Sequence, residues 1–177
     1  MKKITILLSI LIVTLSIAVY AFAGHEHMVI PYESQAIGER TTMPLPAAGD
    51  LRNHLIGHMP YKKWALWPGK GEQFKGTEPH GSLLTNYVNE IALESIKQKK
   101  GMANNSIIVK ENYAPNKKLV AVTAMYKVKG YDPEGGDWFW VKYDANFEVL
   151  AEGKVKGCLA CHSTVKDNDF IFTDKVK

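Results

Sequence analysis

Residues 106–152, SIIVKENYAPNKKLVAVTAMYKVKGYDPEGGDWFWVKYDANFEVLAE, hold four β-branched or aromatic runs: Ser106 to Asn112, Leu119 to Val128, Asp137 to Tyr143 and Phe147 to Glu152. Such residues fit a pleated, half-buried surface. The separators Ala114-Pro115-Asn116, Asp132-Pro133-Glu134-Gly135-Gly136 and Asp144-Ala145-Asn146 are rich in turn formers. Loops this short favour an antiparallel meander, because parallel pairs need crossovers of a dozen residues or more. On the first run, Lys110 shares a face with Ile108, while Ile107, Val109 and Glu111 share the other. Helices packed against one face of the sheet complete an α+β domain.

Upstream, Leu83 to Val88 reads as a further strand. Asn89 then caps a helix in which Ile91, Ala92, Ser95 and Ile96 recur at helical spacing up to a stop at Gly101. Asp50 is placed to cap a short helix through His58, which Met59-Pro60 would end before the aromatic segment Tyr61 to Trp67 and the turn Pro68-Gly69-Lys70-Gly71. Residues 24–49 lack periodicity and read as an extended arm without chemistry, leaving 50–177 as the domain.

Residues 1–23 form a signal peptide: Lys2 and Lys3 are the charged region, Ile4 to Val19 the apolar run, and Ala21-Phe22-Ala23 the small-x-small cleavage pattern. The run is short for a membrane span, so cleavage before Gly24, export to the periplasm or beyond, and no stable span afterwards are expected; a retained anchor is the alternative. Hydrophobic residues make up 46% of the 177, enough for one core. The 22 Lys+Arg against 18 Asp+Glu are spread as single residues and short pairs, which leaves no footprint for nucleic acid.

Both cysteines of the chain lie in Cys158-Leu159-Ala160-Cys161-His162, a C-x-x-C-H motif. Two thiols three positions apart on one helical turn can each form a thioether to a haem vinyl group, with the adjacent imidazole held under the porphyrin as axial ligand. The expected cofactor is therefore one covalently attached haem c, bound by Cys158, Cys161 and His162, with His162 the ligand to iron. A redox dithiol would want a thioredoxin-like βαβ setting, and half of a zinc site would need further Cys or His pairs. No Met follows His162, so the sixth iron position is either open or reached from upstream, where Met28, Met43, Met59, Met102, Met125, His25, His27, His54, His58 and His80 stand. An open position binds small molecules or acts on them.

From Trp64 to Thr173 the chain resembles the cytochrome P-460 family. The resemblance lies in Trp67-Pro-Gly-Lys70, Glu78-Pro-His-Gly81, Val109-Lys-Glu111, Val128-Lys-Gly130, Gly136-Asp-Trp-Phe-Trp140, the C-terminal C-x-x-C-H and the tail Asp167-Asn-Asp-Phe-Ile-Phe172. It implies an antiparallel sheet carrying a solvent-poor haem pocket, and a homodimer. Founding members oxidise hydroxylamine and carry a lysine crosslinked to the haem; the related β-type cytochromes c′ lack the crosslink and bind nitric oxide and carbon monoxide. By this resemblance Lys110 falls at the crosslinking lysine, His162 is the proximal ligand, and Asp167 or Asp169 supplies a distal carboxylate that accepts protons. Three functions then compete. One is hydroxylamine oxidation with a soluble cytochrome as redox partner. The second is gas binding without turnover, with Phe170 on an apolar distal face, and the third is simple electron transfer with a filled sixth position.

Other residues have plainer readings. His54 and His58, spaced i and i+4, would face one side of a short helix but lack a third metal ligand. His25 and His27 lie beside the expected new N-terminus, where a copper site is conceivable. His80, fixed between Pro79 and Gly81, reads as a structural hydrogen-bonding residue and not an iron ligand. Trp138 and Trp140 share a strand face that either fills core or lines haem.

Overall fold

The computed structural model describes residues 43–177; the expected signal peptide and the expected arm up to residue 42 lie outside them. Seven strands form one antiparallel sheet: β1 (Ala65–Leu66), β2 (Phe74–Lys75), β3 (Leu83–Val88), β4 (Ile107–Tyr113), β5 (Leu119–Lys127), β6 (Trp138–Asp144) and β7 (Val149–Gly153). The order is β1-β3-β4-β5-β6-β7, with β2 also on β3. The four-strand meander stands as the sequence indicates, and the class is α+β. The two-residue strands β1 and β2, too short to leave a periodicity, cover the outer edge of β3 and so occupy backbone groups that would otherwise invite another chain.

Helix α1 (Ala48–Asn53) starts earlier than expected. Its N-cap is Ala47, Asp50 sits in the first turn, and the Ala48 amide donates to Glu152 Oε2 at 2.6 Å. A partner 104 residues away leaves no local signal. The chain continues as a π turn, His54–His58, closed by Met59 N–H donating to His54 O at 2.8 Å. That wider turn separates the two histidines: His54 is buried, its ring 6.3 Å from that of Trp64, and His58 is exposed. Helix α2 (Glu90–Gln98) has the expected cap, Asn89 Oδ1 accepting from Ala92 N–H at 2.9 Å. It ends before Gly101, at Lys99 in the left-handed region (φ 55°). Helix α3 (Lys156–His162) carries the C-x-x-C-H motif.

Both faces of the sheet are covered, not one. On the first face Ile107, Val109, Val122, Phe139, Val141 and Tyr143 pack with Ala48, Leu51 and Leu55 of α1 and its π turn. On the second, Val88, Ile108, Trp138 and Trp140 pack with Ala92 and Ile96 of α2 and with Phe170, Ile171 and Val176 of the C-terminal tail. Asn168 ties that tail down. Its Nδ2 donates to the carbonyls of Ile171 and Asp174 (2.7 and 2.8 Å), and its Oδ1 accepts from the amides of Val176 and Lys177 (2.8 and 3.2 Å).

Candidate functional site

The second face is not filled along its whole length. A cavity of about 780 Å³ opens between it, helix α3 and the segment 77–82, and Cys158, Cys161, His162, Lys110, His80 and Asn112 are on its wall. That volume is in the range of sites that enclose a cofactor.

Strand register arranges this face of the sheet in three rows. Val88, Ile108, Met125 and Trp140 form the first, Asn86, Lys110, Thr123 and Lys142 the second, and Leu84, Asn112 and Ala121 the third. Residues i and i+2 on one strand are roughly 6.6 Å apart. His162 packs at the first row, its ring centroid 4.6 Å from that of Trp140, with the Phe172 ring 5.2 Å away. His80 sits at the third, its Nδ1 3.2 Å from Asn112 Oδ1. Lys110 lies in the row between them.

Each imidazole is tied by Nδ1. His162 Nδ1 donates to the Phe170 carbonyl at 2.7 Å, which leaves Nε2 as the free nitrogen. Burial lowers the pKa of His162; the Phe170 carbonyl acts against this and the charge of Lys110 with it. For His80, burial first, then the charges of Lys110 and His162, push the imidazole down to about 4. Burial alone brings the Lys110 amine down to about 8, and it raises the Cys158 thiol. Lys110 thus faces the cavity with Ile108, as the alternation of β4 requires.

The donor set fits a haem attached at the motif. Both thiols are unpaired and on the wall, and the adjacent imidazole has one nitrogen fixed and one free. The indole N–H of Trp140, against His162, is buried without a partner. Of the upstream Met and His candidates in the described residues, Met125 and His80 line the cavity; His25, His27 and Met28 lie outside those residues.

The tail does not supply a carboxylate to the cavity. Asp167 is exposed and off the wall. Asp169 faces the other way: Oδ1 pairs with Lys127 at 2.5 Å and Oδ2 accepts from the Met102 amide at 2.6 Å, while its carbonyl takes the Trp138 indole N–H. The cause is local. A 3-10 turn over Ser163–Asn168 ends in two left-handed residues, Asp169 (φ 55°) and Phe170 (φ 65°), which turn the Phe170 carbonyl to His162 and send Asp169 toward β5 and β6. Phe170 accordingly serves the His162 side and is not a distal residue. Asn112, outside the set expected from sequence, is signalled by its place two residues beyond Lys110 on an alternating strand.

No curated protein matches the chain. The family model for Cytochrome P460 matches residues 60–173, which takes in every strand, the His80 segment and the C-x-x-C-H helix. The chain therefore belongs to the cytochrome P460 family of haem proteins.

Proposed function

We propose that this protein is an exported mono-haem c-type cytochrome that oxidises hydroxylamine or a similarly small nitrogen compound, with thioethers at Cys158 and Cys161 and His162 as proximal ligand. The observation that carries the reading is Lys110. Its side chain projects from the central strand β4 into the cavity, in the row between those of His162 and His80. That is where a crosslinking lysine would meet the edge of a porphyrin. Its amine, desolvated to about 8, is about half neutral near pH 8, and the neutral form is the nucleophile toward an oxidised haem edge, the two electrons released as the C–N bond forms leaving to the redox partner and two protons to solvent. When bound, the haem supplies an iron that takes up the small molecule and accepts its electrons. Trp140 and Phe172 fix the His162 ring, and the Phe170 carbonyl fixes its tautomer. A soluble cytochrome as electron acceptor and a homodimeric assembly belong to the same proposal.

Tryptic mass spectrometry of holoprotein, made with a haem-ligation system, tests it alongside hydroxylamine turnover. A Lys110 peptide joined to the haem peptide, with turnover, is expected. Free Lys110 peptide in full yield without turnover would leave gas binding or electron transfer. Electron transfer is favoured by one observation, the placing of His80 opposite His162.

A further inference from the structure

We propose that His80 is the sixth ligand of the iron in the resting protein, held with Nε2 foremost by Asn112, so that any small molecule must displace it. The inference rests on haem attachment at the C-x-x-C-H motif and concerns access to that same site.

The ring centroids of His80 and His162 are 6.1 Å apart with planes at 86°. Two metal–imidazole bonds of roughly 2 Å, with half a ring at each end, come to roughly 6 Å. A small molecule bound between iron and His80 would add a hydrogen bond of roughly 3 Å and set the rings roughly 9 Å apart. The observed spacing therefore matches ligation and leaves no room for a guest. The two rows that carry the histidines flank the row of Lys110, which brings both rings to one part of the cavity.

Asn112 sets which nitrogen is presented. Its Nδ2 reaches the carbonyls of Lys110 and Ala121 (3.0 and 3.2 Å) and Thr123 Oγ1 (3.3 Å). Backbone carbonyls only accept, so the amide nitrogen is committed to them and Oδ1 is turned to His80. Oδ1 can only accept, which places the His80 proton on Nδ1 and leaves the Nε2 lone pair free. This repeats the arrangement of His162 and the Phe170 carbonyl, and it is how proteins commonly orient a metal-bound imidazole.

The segment carrying His80 is pinned. Gly76 N–H donates to Ser82 O at 2.8 Å, and His80 N–H to Thr77 O at 3.2 Å. Gly76 lies so close to the Gly81 carbonyl that a side chain there would collide with it. Gly81 has φ +137°, where a Cβ would stand 3.0 Å from the Tyr113 carbonyl at the end of β4. Only glycine satisfies both demands at Gly81. The structural hydrogen bond expected of His80 is thus present, and it serves to aim the ring.

Optical and electron-paramagnetic spectra of the ferric holoprotein test this, because they read the sixth position whether or not the protein turns over substrate. The expected result is a six-coordinate low-spin iron that becomes high-spin in His80→Ala and returns to low-spin on adding imidazole. If the site is open about one part in a hundred, cyanide should bind about a hundredfold more tightly to His80→Ala than to the native protein. A high-spin native protein, or a low-spin spectrum unchanged in His80→Ala, overturns the proposal. Should His80→Ala fail to fold, His80→Met decides it: the near-infrared band of a methionine-ligated ferric haem should appear, and its absence counts against His80. Failure here leaves hydroxylamine oxidation standing, whereas low-spin native protein without turnover, even in His80→Ala, would refute that function and keep the ligand.

Discussion

Removing the carboxylate of Glu111 should destabilise the fold strongly. The side chain is fully buried, yet three groups converge on it: Tyr61 Oη donates to Oε1 at 2.8 Å, Tyr113 Oη to Oε2 at 2.6 Å, and the Lys62 ammonium pairs with Oε1. Hydrogen bonds to a charged group contribute roughly 1.5–3 kcal/mol each, but not additively within one cluster. Glu111→Ala also strands the buried Tyr61 hydroxyl, so a loss of roughly 3–5 kcal/mol is expected, as for breaking other buried ion pairs. Glu111→Gln keeps the shape and should cost about 1.5–3 kcal/mol. Lys62→Met removes the half-exposed member of the pair and should cost about 1 kcal/mol. Urea denaturation of the holoprotein reads these as a lowered midpoint at unchanged slope. The sign of the pH dependence follows. Burial by itself pushes the Glu111 carboxyl up, but the hydrogen bonds from Lys62, Tyr113 and Tyr61 outweigh it and hold the group below its ordinary value. An unfolded Glu titrates near about 4.3, so the stabilisation is complete above that pH and is lost as pH falls from there through the folded value. Glu111→Gln should therefore show a shallower acid limb. A loss under about 1 kcal/mol in Glu111→Ala, or an acid limb in Glu111→Gln as steep as in the native protein, would refute this account.

Asn168→Ala removes four hydrogen bonds that close the C-terminal tail over the second core, and should cost roughly 2–4 kcal/mol in the same urea assay. Gly81→Ala should lower the low-spin fraction of the ferric protein while leaving the haem attached, since it shifts the segment aiming His80 and touches neither thioether position. Asp169→Asn should lower stability by roughly 1–2 kcal/mol through the Lys127 pair, with turnover per haem unchanged; a tenfold loss of turnover would return Asp169 to the chemistry.

The meander was legible because each of its runs alternates or is β-branched and each separator holds turn formers; the helix after Asn89 was legible because its cap lies three residues from the amide it serves. Errors gather where the partner is distant in sequence. Ala48 finds its cap in Glu152, and Asp169 finds Lys127 and the Met102 amide, so neither the start of α1 nor the direction of the tail carboxylate leaves a local pattern. Two consecutive left-handed residues, neither of them glycine, are a tertiary outcome, and they took the expected carboxylate out of the cavity. His80 was visible, but its meaning depends on a register that only the folded sheet provides.

Strand β4 joins stability to function through the period of two. Lys110 and Asn112 point into the cavity while Glu111 and Tyr113 point into the opposite half of the domain, where Glu111 holds Lys62 and both tyrosines. A slip of one residue in this strand would place a carboxylate among the cavity-facing residues and bury Lys110 in the first core, among Val122, Phe139 and Val141. Both arrangements are costly, because each strands a charge without its partners. The Glu111 cluster therefore contributes more than stability: it fixes the register that puts Lys110 between His162 and His80, and the geometry of the site follows from a buried carboxylate on the far side of the sheet.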